Sequence, residues 1–283
     1  MAAFNNRNTQ ETAGQLHRSC INEKQTFTVK LLFRNGMVPS LRDALIAFGM
    51  LGGLGSRSRH GLGSVALVKI REYGEDTWVV PQTADEYRTT LMQLIKTCCT
   101  SQSVPPCSAF SGHSRIDNLL VASNPYDALD MFGKAMLLYR SWGRHGQVLG
   151  ASSEKRFQDD HDWFRNAATF RNNNPEFHPK RVVFGLPHNY WQHPDTHITP
   201  ENHERRSSPL LFHVHPVDTQ FVGVTVLLKS QFLPTEEKIN AGGKMVPAEI
   251  DWSVITNFLD GKVGNPPLSG AADRFPSKTQ VIP

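Results

Sequence analysis

The sequence predicts an α+β fold in which strand-forming segments lie on both sides of a helical middle region. Three observations predict it. Residues 26–34 alternate apolar and polar side chains, with the period of two that is typical of a half-buried strand. Three segments between about residues 83 and 170 have apolar side chains at helical spacing. Beyond residue 175 the chain returns to short apolar runs that are typical of strands.

The first predicted elements lead into a glycine-rich loop. A helix is expected to follow Pro39 and Ser40, and Ser40 with Asp43 is similar to a capping box at its start. The glycine-rich loop, residues 52–63, follows this helix. It leads into a strand at 64–71 whose apolar side chains point to both faces. Strand, helix, loop and strand make up half of a ferredoxin-like module.

The middle region is predicted to be helical. Thr83 with Glu86 forms a capping box, and a second helix begins after Asn124, an N-cap residue. A third helix covers about residues 153–170, whereas the Ser- and Pro-rich segment 101–114 is predicted to be a loop. The first of these helices carries on one face Tyr87, Leu91, Leu94, Ile95 and Cys98.

The C-terminal part is predicted to form a second ferredoxin-like module. Strands are expected at 181–186, 210–215 and 221–229, and a closing helix at 251–259. The remainder, 261–283, is expected to be a loose tail.

The glycine-rich loop has the composition of an anion-binding site. It contains five glycines together with Arg57, Arg59 and His60. Glycine allows positive φ and close approach of backbone N–H groups to an anion, and guanidinium groups match phosphate oxygens. The loop lacks the Gly-Lys-Ser/Thr ending of a P-loop and the third glycine of a dinucleotide fingerprint. These features disfavour nucleotide hydrolysis and favour a phosphate-containing ligand. The alternative is a tight crossover whose arginines face water.

Composition permits a nucleic-acid partner without requiring one. The 283 residues have a formal net charge of +4, and residues 134–181 hold nine Lys or Arg against five acidic residues. Aromatic residues in this basic stretch would offer stacking faces for bases if they are exposed, and core positions if they are not: Tyr139, Trp142, Phe157, Trp163 and Phe164. Because no apolar run is long enough to span a membrane, the protein is expected to be cytoplasmic, with no membrane partner.

Histidines and cysteines suggest weaker alternatives. His213 and His215 are two residues apart in a predicted strand, so they share a face and could share a ligand. Two further groups are possible zinc ligands, namely His188, His193, His197 and His203, and Cys98, Cys99, Cys107 and His113. Neither group has the ligand spacing of a structural zinc site, so no metal and no cofactor are predicted.

One family resemblance is specific. Residues 51–65, LGGLGSRSRHGLGSV, resemble the glycine-rich loop of the RAMP superfamily, whose members are subunits of CRISPR effectors. Within that superfamily the chain most resembles the first-numbered Cmr subunit. FGLP at 184–187, RRSSPLL at 205–211 and FLP at 232–234 resemble the C-terminal half of that family in the same order. The resemblance covers about residues 25–260.

The resemblance implies ferredoxin-like (RRM-like) RAMP modules, the first of them incomplete. In that family the first module begins with a strand and a basic helix well upstream of the loop, where this chain has only about 25 residues of mostly polar character. The implied organisation is a partial module with the loop at 1–80, a helical insertion at 81–175, a second module at 176–262 and a tail at 263–283.

The resemblance also implies a function. The expected role is a non-catalytic RNA-binding subunit of a type III-B CRISPR (Cmr) ribonucleoprotein, with guide RNA, target RNA and other Cmr subunits as partners in antiviral defence. One alternative is a metal-independent endoribonuclease that processes CRISPR RNA, with His60 as general acid or base. Another is a scaffold whose loop packs on a neighbouring subunit. The predicted RNA-binding residues are Gly52, Gly53, Gly55, Ser56, Arg57, Ser58, Arg59, His60, Gly61, Gly63, Arg205 and Arg206.

Overall fold

The computed structural model describes residues 25–34, 39–99, 101–143, 145–165, 177–190, 197–261, 263 and 273–282, without the side chains of residues 98 and 163–165. Contacts divide the chain into two units, residues 1–38 and 39–283. The second unit mixes helices with antiparallel sheets, which confirms the mixed α and β class. No helix in the described part is long and apolar enough to cross a membrane.

In the first unit, residues 25–34 form neither helix nor strand. The strand predicted at 26–34 is therefore wrong. An alternating segment becomes a strand when another strand pairs with it and a core buries its apolar face, and among the described residues nothing does either. Its apolar side chains are exposed: Phe27, Val29, Leu31, Leu32 and Phe33.

The second unit contains five helices and eleven strands within the described ranges. The helices are α1 (Pro39–Leu51), α2 (Ala84–Cys98), α3 (Pro125–Arg140), α4 (Gln158–Arg165) and α5 (Ser253–Asp260), together with a 3₁₀ helix at Lys180–Phe184. The strands are β1 (Lys69–Glu72), β2 (Glu75–Val79), β3 (Arg115–Ala122), β4 (Gln147–Val148), β5 (Ala151–Ser152), β6 (Ile198–Pro200), β7 (Leu210–Val217), β8 (Gln220–Leu227), β9 (Ile239–Ala241), β10 (Met245–Val246) and β11 (Thr279–Ile282).

A four-stranded antiparallel sheet organises this unit, with strand order β11-β3-β8-β7. Along the chain its elements follow one another as β3, α3, β7, β8, α5 and β11. This strand–helix–strand–strand–helix–strand order is the one found in ferredoxin-like modules. Strand β7 lies at one edge of the sheet, next to the glycine-rich loop.

Each face of the sheet is covered by its own pair of helices. Helices α3 and α5 pack on one face, where Phe132 stacks on Phe212 with ring centroids 4.2 Å apart. Helices α1 and α2 pack on the other face, against alternate residues of β8 such as Val222, Val224 and Val226. A third core cluster lies beside the small sheet β10-β9-β6. The unit is therefore a three-layer arrangement with the four-stranded sheet in the middle.

Elements with strong local signals were predicted correctly. Helices α1, α2, α3 and α5 and strands β7 and β8 are confirmed. At the start of α2 the Thr83 hydroxyl accepts the Glu86 N–H at 3.1 Å, while the Glu86 carboxylate accepts the Gln82 N–H at 2.8 Å. At α3 the side-chain oxygen of Asn124 accepts the Tyr126 N–H at 2.9 Å.

Several local predictions in the first half of the chain are wrong. The strand expected at 64–71 is confirmed only from Lys69, where β1 forms a hairpin with β2. Ile70 of β1 packs against the core beneath α1 and α2, whereas Lys69 and Arg71 on the opposite face are exposed, so the strand is not buried on both faces. Ser40 does not cap α1, because that helix already begins at Pro39. Helix α4 begins at Gln158, about five residues later than predicted, after a turn at 156–157.

Two predictions in the second half are also wrong. Residues 181–186 are mostly a 3₁₀ helix rather than a strand, with Val182, Val183 and Phe184 buried. The predicted tail is not loose where it is described, because β11 pairs with β3 at the edge of the central sheet. The predicted domain boundaries remain predictions. The central sheet, however, joins β3 from the predicted insertion, β7 and β8 from the predicted second module, and β11 from the tail.

Candidate nucleic-acid interface

The glycine-rich loop wraps around the outer edge of β7. On the α1 side of the sheet, the carbonyl oxygen of Gly52 lies 2.8 Å from Nδ1 of His213. At the edge itself the Phe212 N–H donates to the carbonyl oxygen of Arg59 at 2.9 Å. The loop therefore continues from one face of the sheet to the other.

The glycines of the loop mainly allow the chain to pack against itself. Gly61 has a φ of 78°, and a Cβ there would lie 2.7 Å from Leu129 of α3 and 2.8 Å from Phe212. A Cβ at Gly63 would overlap the carbonyl oxygen of Leu54. These contacts fix the path of the loop, so the backbone has little freedom at these positions to rearrange around a ligand.

The tip of the loop faces solvent. Gly55, Ser56, Arg57 and His60 are exposed, as is Gly63; Gly52, Gly53, Ser58 and Arg59 are half-buried, and Gly61 is buried. The predicted cationic side chains thus lie beside the exposed tip, whereas most of the glycines pack within the protein.

The two arginines of the loop differ in their environment. The Arg59 guanidinium donates to the carbonyl oxygen of Ser208 at 2.6 Å, and burial lowers its pKa. Arg57 is exposed. Within the described ranges, no carboxylate forms an ion pair with either arginine. Both charges are therefore uncompensated by the residues around them.

His60 lies in the electrostatic field of Arg140, the last residue of α3. Partial burial and the charges of Arg140, Arg57 and Arg59 lower the pKa of His60. The Arg140 guanidinium lies over the ring of Phe184, 4.6 Å from its centroid. The sequence analysis did not identify Arg140 as a site residue, and its only signal was the excess of basic residues at 134–181.

Most other described members of that basic stretch have acidic partners. Lys134 pairs with Asp130 at 2.6 Å, and Arg181 pairs with Asp160 at 3.1 Å. Arg156 pairs with Glu154 at 3.1 Å. The stretch therefore forms no continuous free cationic surface, and Arg140 stands out among its described arginines.

The aromatic residues of the stretch are mostly internal. Tyr139 and Phe157 are buried in the core beneath α3. Trp142 is half-buried and stacks on His161, with ring centroids 4.6 Å apart. The side chains of Trp163 and Phe164 lie outside the described part of the chain. Core packing explains the first two residues, which therefore offer no face to a base.

Arg205 and Arg206 occupy different environments despite being neighbours. Arg205 is exposed. Arg206 is half-buried, and its guanidinium donates to the Phe232 carbonyl at 2.5 Å and to the hydroxyls of Ser230 and Ser108 at 3.0 and 3.2 Å. Burial and the charge of Arg59 lower the pKa of Arg206. The structure brings Arg206 towards Arg59, although most of its donors are already used.

The histidines predicted to share a face of β7 do so, on the side of α1 and α2. His213 and His215 are buried, with Nε2 of one 3.3 Å from Nδ1 of the other. The ring of His215 packs against Tyr87, with centroids 4.5 Å apart. Burial lowers the pKa of His213 to about 4 and that of His215 to about 3. The pair is enclosed by the core and stays neutral near pH 7.

The possible zinc groups are not assembled in the described part of the chain, where no three His, Cys, Asp or Glu side chains come close enough to hold a metal. Cys99 is half-buried and Cys107 is exposed, and Nε2 of His113 lies 2.8 Å from the carbonyl oxygen of Gln102. His203 lies 2.8 Å from the carboxylate of Glu237. The side chain of Cys98, and His193 as a whole, lie outside the described residues.

Comparison with known proteins gives a likeness among solved structures. No family model matches the chain, and no curated protein matches it. The chain is similar to a protein of the Cmr series, with a TM-score of 0.40 and 16% sequence identity. That structure is the crystal structure of Cmr1 from Pyrococcus furiosus in its apo form. The likeness covers 85% of this chain and 57% of the other, so the chain spans a little over half of its length.

Proposed function

We propose that this chain is a non-catalytic RNA-binding subunit of a Cmr-type CRISPR ribonucleoprotein. Its central sheet would be a ferredoxin-like RAMP module, and its glycine-rich loop would hold the RNA backbone. Guide RNA, target RNA and other Cmr subunits would be its partners. The similarity of residues 51–65 and 205–211 to the RAMP superfamily supports the family assignment.

One observation carries the RNA-binding proposal. Arg57, Arg59 and His60 lie together on a loop anchored to the edge of a rigid sheet, and the charge of Arg140 acts on His60. Among the described residues no carboxylate forms an ion pair with Arg57 or Arg59. A cationic group fixed in this way neutralises phosphates and carries little sequence information, so binding would be tolerant of sequence and sensitive to salt.

The environment of His60 supports a binding role over cleavage. A general base is normally oriented by a hydrogen-bonding partner. Among the described residues the groups that act on His60 are instead three arginines, Arg140, Arg57 and Arg59. A neutral histidine surrounded by cations is suited to accompany a phosphate. We therefore propose that His60 contacts RNA without acting as a catalyst.

The proposal is tested by measuring the affinity for a labelled single-stranded RNA of mixed sequence across a salt series. Arg57→Ala/Arg59→Ala is expected to bind about tenfold or more weakly, because each charge-assisted hydrogen bond contributes about 1.5 kcal/mol. The slope of log affinity against log salt concentration should fall by about 0.7 for each phosphate that the variant no longer neutralises. Arg88→Ala, which removes an exposed arginine from α2, is the matched control and should behave like wild type.

The outcomes separate the three functions. Equal affinities and slopes for wild type and the double variant would show that the loop is not a phosphate site, which leaves the scaffold role. RNA recovered from the binding reactions is expected to be full-length. Shorter products with wild type but not with His60→Ala would assign cleavage instead.

A further inference from the structure

Arg140 is a cation held in place by packing rather than by hydrogen bonds. It is the last residue of α3, and its guanidinium stacks on Phe184. Its Nε is buried and has no hydrogen-bond partner in the part of the chain that the structure describes. Stacking on an aromatic ring fixes the plane of a guanidinium while leaving its N–H groups available at the edge. The guanidinium of Arg140 is therefore held in a fixed orientation while its N–H donors are not all used.

In the described part of the chain, the charged group that acts on Arg140 is another guanidinium, that of Arg181. Arg140 in turn acts on His60 and His188, whose lowered pKa values leave both rings neutral near pH 7. Burial and the charge of Arg181 lower the pKa of Arg140 to about 10. The environment thus disfavours the charge that this side chain carries at neutral pH.

Two carboxylates near the C-terminal end of α3 are engaged with other groups. Asp160 accepts the backbone N–H groups of Lys180 and Arg181 at 2.9 and 3.0 Å as well as the Arg181 side chain. Glu154 pairs with Arg156 and, at 2.6 Å, with Arg274. Across the described ranges no carboxylate pairs with Arg140. A desolvated cation without a counter-charge destabilises a folded protein.

We propose that Arg140, together with His60, forms a second phosphate-binding position adjacent to the arginines of the glycine-rich loop. An anion supplied by a ligand would provide the counter-charge that Arg140 lacks among the described residues, and the charge of Arg140 acts on the exposed His60 of the loop. That this phosphate belongs to RNA rests on the proposed function. The inference that an anion binds at Arg140 is independent of the proposed function.

The proposal predicts how Arg140→Gln changes the Tm without phosphate and how it changes the response of the Tm to phosphate. Without a ligand, Arg140→Gln removes an uncompensated charge, so its Tm should equal or exceed that of wild type. With inorganic phosphate at constant ionic strength, wild type should gain more in Tm than Arg140→Gln, because a ligand stabilises the state that binds it. Lys134→Gln removes the same charge from the exposed face of α3 and serves as the matched control. It should gain as much as wild type.

The same three proteins are then measured with the labelled RNA across the salt series. Arg140→Gln is expected to lose about 0.7 in salt slope and about tenfold in affinity, whereas Lys134→Gln should not differ from wild type. Arg140→Lys, which keeps the charge, should retain the slope.

Each failure has a distinct meaning. A lower Tm of Arg140→Gln without phosphate would assign Arg140 to the core and overturn the inference. So would phosphate and RNA responses equal to those of wild type. If Arg140→Gln loses only the phosphate response while no protein binds RNA, the anion site stands and the proposed function fails.

Discussion

At the scale of single residues, two glycines of the loop allow the cost of a packing clash to be measured apart from the cost of backbone strain. Gly55 and Gly61 both have positive φ, at 93° and 78°. A Cβ at Gly55 meets no atom within 4 Å, whereas one at Gly61 would contact Leu129 and Phe212. We expect Gly55→Ala to cost about 1 kcal/mol of unfolding free energy and Gly61→Ala about 1–3 kcal/mol more.

Urea denaturation of both variants measures this difference directly. Equal losses would mean that the loop does not pack between β7 and α3 as described.

The sequence identified the charged residues of the loop but not the difference between them. Arg57 and Arg59 lie in the same glycine-flanked segment, yet only Arg59 reaches the carbonyl oxygen of Ser208. That partner lies 149 residues further along the chain, so only the tertiary fold distinguishes the two arginines. Arg140 shows the same limit, since its environment comes from elements distant in sequence.

At the scale of elements, the C-terminal strand is held by a buried ion pair. Arg274 and Glu154 are both about 4% exposed and 2.6 Å apart. Arg274→Ala leaves Glu154 buried with one partner fewer, and we expect a loss of about 3 kcal/mol in unfolding free energy. Arg71→Ala, which breaks the exposed pair with Asp76, should cost no more than about 1 kcal/mol.

Comparison of the two arginine variants in urea tests this ranking. If Arg274→Ala is no less stable than Arg71→Ala, the predicted loose tail is the better description of residues 273–282.

Helices were easier to predict than the central strand. The caps of α2 and α3 are local signals, formed by residues within four positions of one another. Strand β3 was missed because polar residues interrupt its apolar pattern. Arg115 and Asp117 are buried in it as an ion pair, with Arg115 also bound to Asp260 at 2.7 Å. A buried polar pair is acceptable only when the partner is in place, which sequence spacing does not show.

At the scale of the whole molecule, buried histidines make stability depend on pH. The pKa values of His213 and His215 in the fold lie at about 4 and about 3, below the ordinary value near 6.5. At pH values below about 6.5 and above the pKa values in the fold, the unfolded chain binds protons that the folded protein does not. The free energy of unfolding therefore falls as the pH decreases through this range. Each histidine should remove up to about 2 kcal/mol between pH 6.5 and 5.

The measurement is unfolding free energy in urea at pH 7.5, 6 and 5. His213→Asn removes one titrating ring while its amide keeps a donor near the Gly52 carbonyl. The unfolding free energy of this variant should therefore depend less steeply on pH than that of wild type. The same substitution at the exposed His113 is the control, and its curve should parallel that of wild type. Parallel curves for all three proteins would contradict the buried, neutral state of His213.

The way the loop lies along β7 also bears on self-association. It occupies the Phe212 N–H through Arg59, Ser64 directly after the loop accepts the Val214 N–H with its hydroxyl, and Pro216 has no N–H to offer. A chain without the loop and Ser64 would present two unpaired donors on a bare edge strand, where a strand from another molecule can add. Excision would therefore favour aggregates or fibres in addition to removing the cations. Single side-chain changes in the loop remove a cation and leave the edge of β7 covered.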